Sequence, residues 1–240
     1  MMKKITVFVL FAMTAVFPAA ASVPLTPVQI LIDVGHGGVD SGTSYHDLFE
    51  KEINLQIAKR LYRRLSEAGY RVMLNRDRDQ ALSDDNQWLN NPSRHKRDLA
   101  QRKHLAKELS PQMMISLHVN WSSDQQRRGP VILYQANNQS FLLADLLQHS
   151  LNQVFGTRDE PVQGRSYYLL KHEYCPTVIV EMGFISNTRD RAFLTGPAGQ
   201  KKIAQAIADA VSEYLLIAGD LQQNSSEETL LNKLRRFFHQ

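Results

Sequence analysis

Two adjoining stretches decide the fold class: Ile30-Leu31-Ile32-Asp33-Val34-Gly35-His36-Gly37-Gly38, and the long amphipathic run that opens at Glu50. A short apolar run bounded by turn residues reads as a buried strand, and the glycines behind it end it in a tight turn. From Glu50 to Ala68 the period changes. Ile53, Ile57, Leu61 and Leu65 recur four apart beside Ala58, Lys59, Arg63, Arg64 and Glu67 make the other face polar, and Gly69 stops the helix. Counting the run at 28–33, strands are predicted also at 70–75, 113–119, 130–134, 167–170 and 177–181. Helical patterns at 98–109, 140–155 and 198–216 alternate with most of them. That alternation predicts one α/β domain over 28–217, with helices on both faces of its sheet.

The chain has 240 residues, 43% of them hydrophobic and 22% charged, enough for one full core. Lys3 and Lys4 precede an apolar run from Ile5 to Phe17 and then Pro18, Ala19, Ala20, Ala21 and Ser22, the layout of a secretory signal. Residues 1–21 are expected to be that signal, cleaved after Ala21. An uncleaved anchor is the alternative, and either places the domain outside the cytoplasmic membrane. The single cysteine, Cys175, leaves no intrachain disulfide, so stability falls to the core and any bound metal. A net charge of +4 and a pI near 9.2 suit an anionic wall or membrane surface, although two of those charges sit in the signal. Neither basic clustering nor aromatic content calls for nucleic acid as a partner.

Two segments stand outside the α/β pattern. Residues 80–96, rich in Asp, Asn, Ser and basic side chains around Trp88 and Pro92, read as a long surface loop. After Gly219, residues 218–240 read as a polar linker followed by a short amphipathic helix, with Ser225 and Glu228 as a capping box ahead of Leu230, Leu231, Leu234, Phe237 and Phe238. This tail is expected to dock on the domain's own surface. Contact with a membrane or an activator through the tail or the 80–96 loop is the alternative.

His36 sits just past a strand end, inside the glycine turn, at the sheet edge where open α/β sheets bind ligands. A lone histidine in such a turn is more often structural, and partners are needed. Glu50, opening the long helix, and His118, at the end of Met114-Ile115-Ser116-Leu117, are the candidates. Two imidazoles and a carboxylate make a three-ligand zinc set that keeps one position open. Taken singly, Glu50 equally suits a helix N-terminus and His118 an interior histidine. Glu181 ends the apolar run Thr177-Val178-Ile179-Val180, where a buried charge is costly without compensation. It is a candidate general base, with a structural pair to Arg76 or Arg102 as the alternative.

In order and spacing, Asp33-Val-Gly-His36-Gly-Gly, Glu50-Lys-Glu-Ile-Asn54-Leu, Arg76-Asp77, Arg102, Ser116-Leu-His118-Val-Asn120 and Glu181-Met-Gly-Phe-Ile-Ser186-Asn187 resemble the zinc N-acetylmuramoyl-L-alanine amidases, over about residues 29–216. The resemblance implies a mixed twisted sheet of about six strands and one zinc ion per chain on His36, Glu50 and His118. It also implies Glu181 as catalytic glutamate and hydrolysis of the amide between the lactyl group of N-acetylmuramic acid and L-alanine in peptidoglycan. Val34 stands where the family usually has proline, and Asn75 where it usually has threonine. The 80–96 insertion is most similar to that of the spore-cortex amidases, implying a sporulation role. The 140–165 stretch is too short for the occluding helix of autoinhibited division amidases, implying an open cleft, and the chain is expected to be a monomer. Asn120 is a candidate oxyanion donor. A zinc carboxypeptidase and a catalytically dead wall-binding protein are the rival readings.

Overall fold

The computed structural model describes residues 27–171 and 174–238, so the expected signal lies outside the described residues. In chain order the elements are β1 (Ile30–Val34), the hairpin β2 (Ser44–Tyr45) and β3 (Leu48–Phe49), α1 (Glu50–Glu67), β4 (Val72–Leu74), α2 (Arg94–Leu109), β5 (Met113–Asn120) and β6 (Val131–Tyr134). There follow α3 (Asn138–Phe155), β7 (Val162–Gln163), a 3-10 turn (Tyr168–Leu170), β8 (Thr177–Phe184), α4 (Thr188–Thr195) and α5 (Pro197–Phe238). Six strands form one mixed sheet in the order β4-β1-β5-β8-β6-β7. All neighbours are parallel except β6 and β8.

Side chains alternate across a strand, and β1 shows what that does. Ile30, Ile32 and Val34 join the larger core with Ile53, Ile57, Leu61 and Leu65 of α1, Leu143 and Leu147 of α3 and Ile203 and Ile207 of α5. Leu31 faces the other way, packing with Met114, Ala106 of α2 and Leu169 of the 3-10 turn. Helices therefore cover both faces, as the alternation predicts. Leu61 and Leu65 are fully buried, and truncating either to alanine is expected to cost about 2–5 kcal/mol.

Gly69 ends α1 with φ 89°, Ser93 and Asn137 cap α2 and α3 by accepting the backbone N–H of Lys96 and Ser140, and Gly156 closes α3 with φ 64°. Of residues 167–170, expected as a strand, Tyr168–Leu170 form the 3-10 turn instead; the sixth strand is the two-residue β7 beside β6. The linker expected after Gly219 is also absent, because α5 continues as one helix to Phe238. One interior glycine costs a helix only about 1 kcal/mol, and no proline follows Pro197.

The 80–96 segment is less detached than expected. Residues 94–96 belong to α2, Ala81, Leu82 and Ser83 are buried, and Trp88 stacks on His104 of α2 with ring centroids 4.7 Å apart. Just before it, Asp79 accepts the N–H of Gly38 at 2.7 Å and pairs with Lys51, so the approach to this segment braces the glycine turn.

Candidate metal centre

Parallel pairing aligns the C-terminal ends of β1, β5 and β8 along one sheet edge, and the candidate site residues gather there. His36 leaves β1 with φ 60°, a left-handed conformation rare outside glycine and one that turns the chain sharply off the strand. His118 on β5 is the direct register partner of Glu181 on β8. The β2–β3 hairpin then returns the chain so that Glu50, first residue of α1, points into the same edge.

Nε2 of His36 lies 3.2 Å and Nδ1 of His118 3.0 Å from Oε1 of Glu50, and one ligand atom from each residue lies within 4.8 Å of the others. The imidazole rings are set at 83° to each other with centroids 5.0 Å apart. Ligands about 2.0–2.1 Å from a tetrahedral zinc ion are roughly 3.3 Å apart, so these spacings and the His-Glu-His donor set fit a three-ligand site. Glycine makes the room. A Cβ on Gly35 would stand 2.5 Å from Cε1 of His118, and one on Gly42, where φ is 65°, would stand 2.5 Å from Oε2 of Glu50.

Glu50 does not cap its own helix. Its carboxylate accepts the N–H of Thr43 at 2.8 Å and of Val119 at 3.0 Å and the side-chain amide of Asn54 at 3.3 Å, which fixes its orientation across three segments. Nδ1 of His36 lies 3.2 Å from Asp40, leaving Nε2 for the centre. Burial opposes protonation of His36, but hydrogen bonds to Asp40 and Glu50 carry its pKa up to about 9. Against the effect of its own burial, Glu50 is held well below the usual carboxylate range by His118 and His36. Proton and metal thus compete for one electron-rich pocket.

Glu181 makes no ion pair among the described residues, and neither Arg76 nor Arg102 reaches it. Burial pushes its pKa up to about 7, with the His118 charge pulling down and Glu50 pushing up. Glu181 and His118 share the wall of a cavity of about 410 Å³ with His95, Leu99, Tyr167 and Ile179.

The two arginines hold the turn instead. Arg76 donates to the carbonyls of Val34, Gly35 and Lys51 at 3.2, 3.0 and 2.9 Å. Arg102 donates to Asp33, Asp98 and the carbonyls of Val34 and His36. Asn75 accepts the N–H of Val34 at 2.8 Å and donates to Asp33. The two residues that depart from the family pattern are thus bonded to each other. Asn120, the expected oxyanion donor, uses its side-chain oxygen to accept the N–H of Trp121 at 2.8 Å and is not among the residues of the cavity wall. Sequence reasoning also missed Asp40; its one signal was a carboxylate four residues past His36.

Residues 30–213 match the family model described as N-acetylmuramoyl-L-alanine amidase. The chain belongs to that amidase family. Among curated amidases, it is 32% identical to LytC of Bacillus subtilis (strain 168), covering 80% of this chain and 36% of LytC. It is 30% identical to the germination-specific N-acetylmuramoyl-L-alanine amidase of the same organism, over 83% of this chain and 84% of that amidase. Among solved amidases, it superposes on CwlD of Clostridioides difficile, determined in complex with the GerS lipoprotein, with a TM-score of 0.74 and 29% identity, over 79% of this chain and 99% of that one. The six-stranded mixed sheet is the fold of these amidases.

Proposed function

We propose that the protein hydrolyses the amide between the lactyl group of N-acetylmuramic acid and L-alanine of the peptidoglycan stem peptide, with one zinc ion on His36, Glu50 and His118 and Glu181 as proton carrier. The observation that carries this reading is the convergence of the three donor atoms within 4.8 Å, with Glu181 in direct register beside His118. When bound, zinc supplies Lewis acidity toward a carbonyl oxygen and toward water. Glu181 takes the proton of the attacking water on its carboxylate and returns it to the departing nitrogen of L-alanine, a two-way task suited to a carboxyl with a pKa near the working pH. Asp40 orients His36, and Arg76 and Arg102 keep its turn in place. Family membership supports the substrate class, and the germination-specific relative supports a spore-cortex role.

The 1–21 signal layout supports action outside the cytoplasmic membrane; no helix among the described residues is long and apolar enough to cross one. That CwlD is in complex with the GerS lipoprotein supports a protein activator here too, with the 80–96 segment and the end of α5 as the contacts we assign.

The test is mass spectrometry of purified peptidoglycan after incubation with the zinc-loaded protein. Intact stem peptides are expected. Single amino acids would mean a carboxypeptidase, and no products at all a wall-binding protein. Glu181→Ala should keep its zinc and lose at least about 10²–10³-fold in turnover. Full activity in a metal-free preparation would remove zinc from the proposal.

A further inference from the structure

We infer that Arg191 of α4 is a positioning residue for the amidase reaction: its guanidinium lies on the face of Tyr45 and fixes the β2–β3 hairpin, and through Thr43 at the base of that hairpin it fixes the carboxylate of Glu50. This rests on the reading of Glu50 as a metal ligand and adds what keeps that ligand in place.

The hairpin needs an outside hold. Isolated two-stranded hairpins are marginal in water, and this one has two residues per strand. β2 and β3 pair with each other and with no strand of the six-stranded sheet. His46 and Asp47 at the tip are exposed. Tyr45 and Leu48 pack on the larger core, but apolar contact is non-directional and sets no exact position. The directional contact comes from α4. Cζ of Arg191 stands 3.9 Å from the centre of the Tyr45 ring, well inside the reach of about 6 Å for a cation over an aromatic face.

Arg191 is itself anchored. Its Nη1 donates to the carbonyl of Ile185 at 2.7 Å and its Nη2 to the hydroxyl of Thr188 at 3.3 Å. Ile185 directly follows β8, the strand that carries Glu181. One guanidinium therefore ties the segment ahead of Glu50 to the segment behind Glu181.

The base of the hairpin sets the carboxylate. Oε2 of Glu50 accepts the N–H of Thr43 at 2.8 Å, and the N–H of Glu50 donates back to the carbonyl of Thr43 at 2.9 Å. Oε1 is held from elsewhere, by Val119 and Asn54. Among the described residues Thr43 is the one hydrogen-bond donor to Oε2, and it lies on the same short stretch as Tyr45. Gly42 is packed so tightly that a Cβ there would stand 2.5 Å from Oε2. A hairpin that shifts must therefore turn the carboxylate.

The experiment is a double-mutant cycle on Arg191→Gln and Tyr45→Leu. Its readouts are zinc affinity by chelator competition and the visible absorption of the cobalt-substituted protein, neither of which needs turnover. Each single variant should bind zinc about tenfold more weakly, at the low end of the range for losing a group that orients a ligand. The double variant should be no weaker than the weaker single, as expected of two residues that act through one contact. Tyr45→Phe keeps the ring face and should recover the affinity lost in Tyr45→Leu. The cobalt bands should shift in both single variants and return in Tyr45→Phe. On peptidoglycan, Arg191→Gln should lower kcat and leave KM unchanged.

Additive losses in the double variant, or a Tyr45→Phe as weak as Tyr45→Leu, would overturn the inference. So would wild-type affinity with unshifted bands in both single variants, or a raised KM at constant kcat. Should Tyr45→Leu fail to fold, the affinity and cobalt bands of Arg191→Gln decide alone. A wild type that releases no stem peptide, with the coupling in zinc affinity intact, would overturn the amidase reading and leave the hold on Glu50 standing.

Discussion

Nη1 of Arg102 donates to Oδ1 of Asp33 at 2.6 Å and to the carbonyl of Val34 at 2.9 Å, so one guanidinium fixes both the carboxylate and the backbone at the strand end that delivers His36. Both side chains are almost wholly buried, Asp98 completes the guanidinium's partners at 2.6 Å, and Ser116 donates to the second oxygen of Asp33 at 2.5 Å. A buried pair is retained at a desolvation cost, and here each member also holds the site in register.

Replacing Arg102 by leucine leaves two buried carboxylates without their cation. Urea unfolding is expected to show a loss of about 3–5 kcal/mol, the range for breaking a buried pair. If instead Arg102→Leu unfolds at the wild-type midpoint, the guanidinium is not what braces β1 against α2.

Asp40→Asn keeps the size of the side chain at the 3.2 Å contact with Nδ1 of His36 but weakens the acceptor that sets the ring. Zinc affinity, followed by competition with a fluorescent chelator, should fall about 10–100-fold, as it does when the outer partner of a ligating histidine is lost. The melting temperature of the metal-free variant should stay close to that of the wild type.

Glu181 gives the pH prediction. Its folded pKa is raised from 4.5 to about 7, so its contribution to stability is fully present below pH 4.5 and is lost as pH rises through 7. Glu181→Gln, which carries no charge at either extreme, should therefore be more stable than the metal-free wild type at pH 8 by the order of 1–3 kcal/mol, and the gap should close toward pH 5. Denaturant titrations at the two pH values check this. A gap that widens on acidification would mean that the carboxylate is favoured by its surroundings.

Gly42→Ala places a methyl 2.5 Å from Oε2 of Glu50, on a backbone with φ 65°. Destabilisation of about 1–3 kcal/mol and loss of stoichiometric zinc are expected together, because the carboxylate has to move. Gly69→Ala is the control. Its φ is also positive, at 89°, but nothing lies within 4 Å, so it should cost backbone strain and leave metal content intact.

The sheet and the clustering of His36, Glu50 and His118 were legible because each depends on a pattern of its own. The apolar runs around Ile30, Met113 and Val178 are long enough to be strands and nothing else, and α1 shows its period without ambiguity. Tyr167-Tyr168-Leu169-Leu170 misled because four apolar residues fit a buried strand and a helical turn equally well. β7 and the β2–β3 hairpin are two residues per strand, too short for any period to register. α4 has only Leu194 as a fully buried apolar residue, so its amphipathic signal is weak. The arginine brackets were hidden for another reason: Arg76 acts on backbone carbonyls, which have no letter in a sequence, and Arg102 reaches Asp33 across 69 residues.

The three proposed ligands come from the turn after β1, the start of α1 and the C-terminal end of β5, with 68 residues separating Glu50 from His118. An unstructured thread of this protein has no ready place for the cation; the binding pocket exists only once distant strands have been zipped side by side. Metal capture is then a late event, and its contribution to holding the chain together is set by how much free ion the surroundings offer. On the proposed zinc chemistry, the same molecule starved of that ion would be both inactive and easier to unravel, so a single environmental supply line would govern how long it lasts as well as whether it cuts.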